Sequence, residues 1–138
     1  MKTILVIDAQ GGGIGKQLIS EIRKKELQAE IIAVGTNSTA SAQMLKAGAD
    51  HAATGENPVL VNCRKADVIL GPIGIVLADA MFGEITPAIA AAVGQSRAAK
   101  ILIPMNSCGA YVAGVQEQGI RTYIEAAADR LSELLKSP

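Results

Sequence analysis

A run of glycines near the start of the chain carries the residue types best suited to bind an anion. Glycine lets the backbone approach a ligand with no Cβ in the way, and the free N–H groups at the start of a helix favour negative charge. A lysine after the run adds a positive charge, and an aspartate before it can cap loop N–H groups or hold a metal through water. The residues expected at this phosphate site are Asp8, Gln10, Gly11, Gly12, Gly13, Ile14, Gly15 and Lys16.

Two known phosphate-binding patterns fit this run only in part. The pattern G-x-G-x-x-G, begun at Gly11, meets Lys16 where its third glycine belongs. The P-loop pattern G-x-x-x-x-G-K-[ST] finds Gly15 and Lys16, but Gln10 replaces its first glycine and Gln17 replaces the hydroxyl residue that binds Mg²⁺. Ordinary P-loop NTPase chemistry is therefore not expected. The alternative to a phosphate site is a tight strand-to-helix turn that binds nothing.

The glycine run also resembles the cofactor loop of the short-chain dehydrogenases. That family carries Thr-Gly near the start of the loop, where this chain has Asp8 and Ala9. Neither Tyr111 nor Tyr123 is followed by a lysine four residues later. This absence counts against the chemistry of that family despite the similar loop.

A buried strand and an amphipathic helix are predicted on either side of the glycine run. Residues 4–7 are all apolar, which is typical of a strand covered on both faces of a parallel sheet. Leu18 and Ile22 recur at helical spacing and predict a helix over residues 16–25. The strand, the loop and the helix together position the expected anion site.

The rest of the chain alternates between apolar runs and helical patterns. Strands are predicted over residues 3–8, 30–34, 50–53, 68–70 and 100–104, with a sixth, edge strand over 110–115. Helices are predicted over residues 16–25, 41–46, 58–65, 75–82, 88–93 and 120–136, with Asn57 as N-cap before Pro58 and Thr86 as N-cap before Pro87. This alternation predicts one α/β domain over residues 1–138. Its fold is Rossmann-like and three-layered, with a mostly parallel sheet of five to six strands and helices on both faces.

Glycine and polar residues follow the predicted strands and should gather at one edge of the sheet, where ligands of such folds bind. The further site residues expected there are Gly35, Thr36, Asn37, Ser38, Thr54, Gly71 and Pro72. Thr36, Asn37 and Ser38, which follow the second strand, can hydrogen-bond a ribose or a 2′-phosphate, cap the next helix, or do both. Glu56 is either a site residue or a helix cap, and Glu84 is either a site residue or a solvated loop charge. Residues 104–107, which include Asn106, belong to the same edge.

The composition of the chain indicates which partners, which compartment and which oligomeric state to expect. The 138 residues carry 13 basic and 13 acidic side chains and no Trp, so a nucleic-acid partner is not expected. No apolar run approaches the roughly 20 residues of a membrane span, and the first residues do not form a signal peptide, so a cytoplasmic protein without membrane partner is expected. Balanced charge with 49% apolar residues favours a homo-oligomer, a dimer or larger.

The cysteines and the histidine predict no metal site. Cys63 and Cys108 form no C-x-x-C motif and no cluster with histidine, and both are interpreted as buried structural thiols. His51 is the only histidine in the chain and is interpreted as a structural residue.

Several short segments spread over nearly the whole chain carry a second resemblance. They are residues 7–16, 34–37, 47–50, 53–57, 71–75, 83–87 and 103–106. Taken together, they resemble a small bacterial family of unknown function that has a glycine-rich N-terminal loop. The resemblance implies a stand-alone bacterial protein with the look of a dinucleotide-binding fold, and it implies no reaction and no catalytic residue.

We therefore expect a protein that binds a small phosphate-bearing ligand through the loop from Gly11 to Gly15. The ligand would be a nucleotide or a dinucleotide such as NAD(P). One alternative is a non-catalytic module that senses a metabolite or assembles as an oligomer. A third hypothesis is a small enzyme that uses Asp8 or Glu84 as acid or base. The lack of a Ser/His/Asp set, a Tyr-x-x-x-Lys pair or a metal cluster counts against it.

Overall fold

The computed structural model describes residues 1–105 and 109–136, and its centre is a sheet of five parallel strands. The strands are β1 (Lys2–Asp8), β2 (Ala29–Gly35), β3 (His51–Thr54), β4 (Val68–Pro72) and β5 (Ala99–Ile103). Their order is β3-β2-β1-β4-β5, so β1 lies in the middle with β2 and β4 as neighbours. The winding reverses between β1 and β4, and ligands of open parallel sheets bind outside the carboxyl ends of strands at such a switch point.

Helices cover both faces of the sheet in the described part of the chain. They are α1 (Gly13–Lys24), α2 (Ser38–Ala47), α3 (Glu56–Cys63), α4 (Pro87–Gln95) and α5 (Ile120–Lys136), with a short 3-10 helix, Ile73–Val76, after β4. Helices α1, α2 and α5 pack on one face, and α3 and α4 pack on the other. The predicted α/β three-layer fold is confirmed, with five strands.

Strand β1 supplies side chains to both halves of the core. Ile4 and Val6 pack under α1, α2 and α5, whereas Leu5 and Ile7 pack under α3 and α4. All four side chains are fully buried, as alternation along a doubly covered strand requires. Burying each such side chain contributes about 1.5–3 kcal/mol, so packing fixes where the carboxyl end of β1 emerges.

Two helix caps agree with the sequence prediction. The Thr86 hydroxyl oxygen accepts the Ile89 N–H at 3.1 Å, and α4 begins at Pro87. The Asn37 side chain caps α2 by accepting the Ala40 N–H at 2.9 Å, so the capping role proposed for this polar group is confirmed.

The predicted helix over residues 75–82 is wrong. Only the 3-10 helix forms, and the chain then doubles back, because the Asp79 N–H bonds to the Ile85 carbonyl oxygen at 2.7 Å. Asp79, Met81 and Phe82 adopt left-handed φ angles of 68°, 58° and 58°. Ile85 is fully buried in the core, and the reversal that brings it there is incompatible with a continuous helix.

The predicted sixth strand over residues 110–115 is also wrong. Gly109 and Gly114 have left-handed φ angles of 72° and 84°, which bend a segment that would have to run straight to pair with β5. The segment is irregular, and Tyr111 at its centre is 79% exposed. Its apolar residues therefore lie at the surface instead of completing the sheet.

Asn57 is not the N-cap of α3, contrary to the prediction. Gly55, with a φ of 111°, occupies the cap position, and the helix begins at Glu56. Pro58 still falls in the first turn, where its missing N–H breaks no helical hydrogen bond. The Glu56 carboxylate accepts the Thr86 hydroxyl at 2.5 Å, which joins the start of α3 to the start of α4.

Helices α1 and α2 begin earlier than predicted. Helix α1 begins at Gly13 instead of residue 16, with Gly12 as its N-cap, and α2 begins at Ser38 instead of residue 41. The second half of the glycine run therefore forms the first turn of α1, where backbone N–H groups have no partner within the helix.

Candidate functional site

The carboxyl ends of β1 and β4 frame a cavity of about 200 Å³ at the switch point of the sheet. Its lining residues are Asp8, Ala9, Gln10, Gly11, Gly12, Gly13, Ile14, Gln17, Pro72, Met81 and Met105. The structure thus brings most of the glycine loop together with Pro72 from β4. The volume suits a phosphate group but is below the roughly 300–1,000 Å³ of a site that encloses a whole drug-sized ligand. We call it the loop cavity.

Four of the glycines at this edge are required by packing. A Cβ added to Gly12, Gly15, Gly35 or Gly71 would come within 2.8 Å of a neighbouring atom. At Gly71, for example, it would lie 2.4 Å from the carbonyl oxygen of Ile7. These glycines let β1, α1, α2 and β4 approach one another, so their presence needs no ligand to explain it.

Gly11 and Gly13 differ from those four glycines. A Cβ at either residue would meet nothing within 4 Å, and neither has a left-handed φ. Within residues 1–105 and 109–136, neither N–H has a hydrogen-bond partner. Both residues line the loop cavity, so two backbone N–H groups without an internal partner lie at its wall, where no side chain takes up the space.

Asp8 occupies part of the helix start with its own carboxylate. One carboxylate oxygen accepts the Ala9 N–H at 2.8 Å and the other accepts the Gly15 N–H at 2.7 Å. Burial raises the pKa of Asp8 above its ordinary value, although N–H groups of Gly15, Ala9 and Ile14 stabilise its charge. The capping role proposed for Asp8 is therefore present, and it places a buried carboxyl beside the loop cavity.

Glu84 connects three loops at the carboxyl edge. It comes from the β4–α4 loop, which we define as residues 77–86. Its Oε1 accepts the Gln10 N–H at 2.9 Å, the Thr36 hydroxyl at 2.6 Å and the Asn37 side-chain amide at 2.8 Å. Asn37 also donates to the Gln10 carbonyl oxygen at 2.9 Å. We call these four residues the Glu84 node.

The Glu84 node holds the glycine loop in an otherwise unfavourable conformation. Gln10 has a left-handed φ of 52°, which side chains other than glycine rarely adopt. Both its N–H and its carbonyl oxygen are hydrogen-bonded, the first to Glu84 and the second to Asn37. The node therefore fixes the backbone immediately before the two open glycines.

Glu84 is a bound acceptor and not the solvated loop charge that the sequence also allowed. Partial burial by itself raises the pKa of Glu84, but hydrogen bonds from Thr36, the Gln10 N–H and Asn37 outweigh it and hold the pKa below its ordinary value. The carboxylate is thus ionised at neutral pH. Thr36 and Asn37, for which the sequence left ribose binding and helix capping open, both donate to Glu84.

The other predicted site residues lie further from the loop cavity. Lys16 is exposed on α1 and does not line the cavity. Ser38 is the first residue of α2, and the Thr54 hydroxyl lies 2.7 Å from that of Ser41, where it joins β3 to α2. Asn106 and Cys108 are outside the described residues.

Among residues 1–105 and 109–136, no group of three or more His, Cys, Asp and Glu side chains is arranged to hold a metal ion. In the same residues, no helix combines the length and apolar character needed to cross a membrane. Cys63 is a buried free thiol, and burial raises its pKa to about 11, which makes it unreactive.

Strand order and the cavity at the switch point define a Rossmann-like α/β protein. The family model described as Domain of unknown function (DUF3842) matches residues 3–136, and the chain belongs to this family. No curated protein matches the sequence.

Two solved structures are similar to this chain. One is a dodecameric FMN-dependent Ubix-like decarboxylase from Escherichia coli O157:H7, with 17% identity and a TM-score of 0.47 over 96% of this chain and 76% of that one. The other is AibC, with 15% identity and a TM-score of 0.50 over 99% of this chain and 40% of AibC. At this identity, the likeness to AibC shows the fold alone.

Sequence reasoning missed two residues that line the loop cavity, Gln17 from α1 and Met81 from the β4–α4 loop. Met105 also lines it and lies in the 104–107 segment that was expected at this edge. Gln17 was detectable, because it lies one turn after Gly13 and donates to its carbonyl oxygen at 3.1 Å. Met81 carried no local signal, since its place depends on how separate loops fold over the sheet edge.

The Glu84 node gives a testable prediction about stability. Glu84→Ala removes the shared acceptor of three donors, and we expect the free energy of unfolding to fall by about 2 kcal/mol. Because the folded-state pKa of Glu84 is lowered from 4.5, its stabilisation is present above that pH and is lost as pH falls through the folded value. Glu84→Gln should therefore unfold more easily at neutral pH and lose this acid-dependent change. Chemical denaturation over a pH series measures both.

Glu125→Gln is the matched control for this experiment. Glu125 makes a surface ion pair with Arg121 at 3.0 Å, so its loss should change the free energy of unfolding by under about 0.5 kcal/mol. Equal stability losses for the Glu84 and Glu125 variants would contradict a special role for the node.

Proposed function

We propose that the protein binds a small phosphate-bearing ligand of the nucleotide class in the loop cavity. The observation that carries the proposal is that Gly11 and Gly13 offer free N–H donors and open space at the same place. The start of α1 adds about half a positive charge, which favours an anion there. Lys16 is exposed on the same helix, outside the lining of the cavity, and adds a positive charge to this end of α1.

The binding role of the open glycines is tested by comparing two valine substitutions. Gly13→Val fills the loop cavity, whereas Gly94→Val places its Cβ equally free of contacts but in α4. The wild type is first screened by thermal shift against NAD, NADP, ATP, GTP, FMN and coenzyme A, with and without Mg²⁺. A ligand at about 100 times its Kd adds about 2.7 kcal/mol, or several degrees.

We expect Gly13→Val to melt at the same temperature as the wild type without ligand but to show no shift when the ligand is added. Gly94→Val should show the same ligand-induced shift as the wild type. A ligand that shifts Gly13→Val as much as the wild type does not use the glycine loop. If no compound of the screen shifts the wild type, the loop is a bare strand-to-helix turn and the proposed function is wrong.

The buried carboxyl of Asp8 gives the proposed site a pH dependence. Burial already raises the pKa of Asp8 in the protein without ligand. An anion in the loop cavity repels the Asp8 carboxylate, so we expect binding to raise this pKa further. At a pH between the pKa of Asp8 in the free protein and its pKa in the complex, Asp8 takes up a proton when the anion binds. The affinity for the anion therefore increases as pH falls through this range.

Sulfate is a suitable probe of this coupling because it stays a dianion across the range. Isothermal titration should give tighter sulfate binding at about pH 5 than at about pH 7.5. Asp8→Asn should bind sulfate with little pH dependence, provided that its circular dichroism matches the wild type. A wild-type affinity that does not change with pH would place the anion away from Asp8.

An assembly role is the alternative, and one observation favours it. Phe82, the only Phe of the chain, is 99% exposed in the β4–α4 loop, where its apolar surface is left uncovered by the residues that the structure describes. We propose that Phe82 lies at a contact between copies of the protein. Sedimentation equilibrium should then show a dimer or larger for the wild type and weaker association for Phe82→Ser. A monomeric wild type would exclude the assembly role.

An enzymatic role for Glu84 has less support than either. A carboxylate with a lowered pKa and three donors on one oxygen suits a structural acceptor better than a proton-transfer group. The proposal therefore assigns ligand binding and no reaction.

A further inference from the structure

A second cavity lies beside the loop cavity, on the β5 side of the sheet edge. It encloses about 390 Å³ between the end of β5, residues 109–119 and the first turn of α5. Its walls include Met105, Tyr111, Val115 and Tyr123. This volume lies within the roughly 300–1,000 Å³ of small-molecule sites. We call it the β5 cavity.

The two cavities meet at one residue. Met105 lines both the loop cavity and the β5 cavity. The two cavities therefore adjoin, and a molecule with its anionic end at Gly11 and Gly13 would reach the β5 cavity by passing Met105. Methionine is unbranched and adaptable, so it can form a shared wall against ligands of different shape.

Polar side chains at the end of β2 lie on the opposite side of the loop cavity. A dinucleotide in a fold of this type places one ribose at the end of β2, where polar side chains bind it. Here Thr36 and Asn37 donate to Glu84, and the β4–α4 loop crosses to reach them. The donors needed by a ribose at β2 are already used within the protein.

The β5 cavity is built from a firmly held wall and an open rim. The Tyr123 hydroxyl donates to the Gln116 carbonyl oxygen at 2.7 Å and accepts the Gln118 N–H at 3.1 Å, which ties the segment to α5. Tyr111 has no such bond among the described residues and is 79% exposed. Its ring is available for stacking by a planar group.

The charge of the β5 cavity limits what it accepts. Glu117 is the only charged side chain among its lining residues. Phosphate groups are therefore disfavoured in this cavity, whereas a neutral or cationic ring is compatible with it. The anionic part of one ligand would therefore bind in the loop cavity and its apolar part in the β5 cavity.

We propose that the β5 cavity binds the planar, uncharged body of a phosphomonoester whose phosphate lies in the loop cavity. The inference rests on the proposed function and names its ligand class: a single phosphate with one ring system, as in a mononucleotide, and not a dinucleotide. Tyr111 is the specificity-determining residue, because its ring stacks on the body of the ligand.

The test compares ligands that differ in one part at a time. The probes are FMN, AMP and pyridoxal 5′-phosphate as planar phosphomonoesters, glucose 6-phosphate as a non-planar one, NAD as a dinucleotide, and inorganic phosphate. Affinities are measured by isothermal titration for the wild type and for Tyr111→Ser, Tyr111→Phe and Gly13→Val.

We expect one of the planar phosphomonoesters to bind more tightly than glucose 6-phosphate, NAD and inorganic phosphate. Stacking on one aromatic ring contributes enough to change affinity by about tenfold, so Tyr111→Ser should weaken that ligand by this factor while inorganic phosphate is unaffected. Tyr111→Phe keeps the ring and should restore binding. Gly13→Val should weaken every phosphate-bearing probe.

The outcomes separate the two proposals. Suppose that Gly13→Val weakens binding of the probes, so that the phosphate site stands. The assignment of the β5 cavity is then wrong if NAD or glucose 6-phosphate binds best, or if Tyr111→Ser has no effect. If no probe binds the wild type, the proposed function fails and the assignment fails with it.

Discussion

Burial of β1 on both faces is the constraint on which the rest of the structure depends. Its side chains are shared between the two halves of the core, and its backbone pairs with β2 on one side and β4 on the other. A shift of one residue would exchange the side chains between the two faces. The register therefore fixes where Asp8 ends the strand, and the glycine loop must begin above the gap between β1 and β4.

The sequence was sufficient for features that repeat or that have local chemistry. The apolar run of β1, the stripe of α5 and the cap formed by Thr86 and Pro87 each depend on neighbours in the chain, and the structure contains them. The predictions for residues 75–82 and 110–115 were wrong because an apolar run does not indicate where the chain changes direction. Burial of Ile85 and the left-handed glycines around Tyr111 decided their course, and both depend on distant contacts.

The candidate site shows the same division between local and distant information. A glycine-rich loop was evident, but the sequence treats its glycines alike, whereas the structure separates those needed for packing from Gly11 and Gly13. Glu84 lies 74 positions from Gln10, to which it bonds, and nothing near it in the chain indicates this partner. Its hydrogen bonds arise only when the loops above three strands meet at the sheet edge.

The Glu84 node also has an evolutionary consequence. Glu84, Thr36 and Asn37 take part through their side chains, so replacing one of them removes a hydrogen bond from another, whereas Gln10 takes part only through its backbone. In related proteins, the residues at positions 36, 37 and 84 should therefore change together, as contacting pairs do. Position 10 should accept many residue types but resist those with β-branched side chains, which tolerate a left-handed φ poorly.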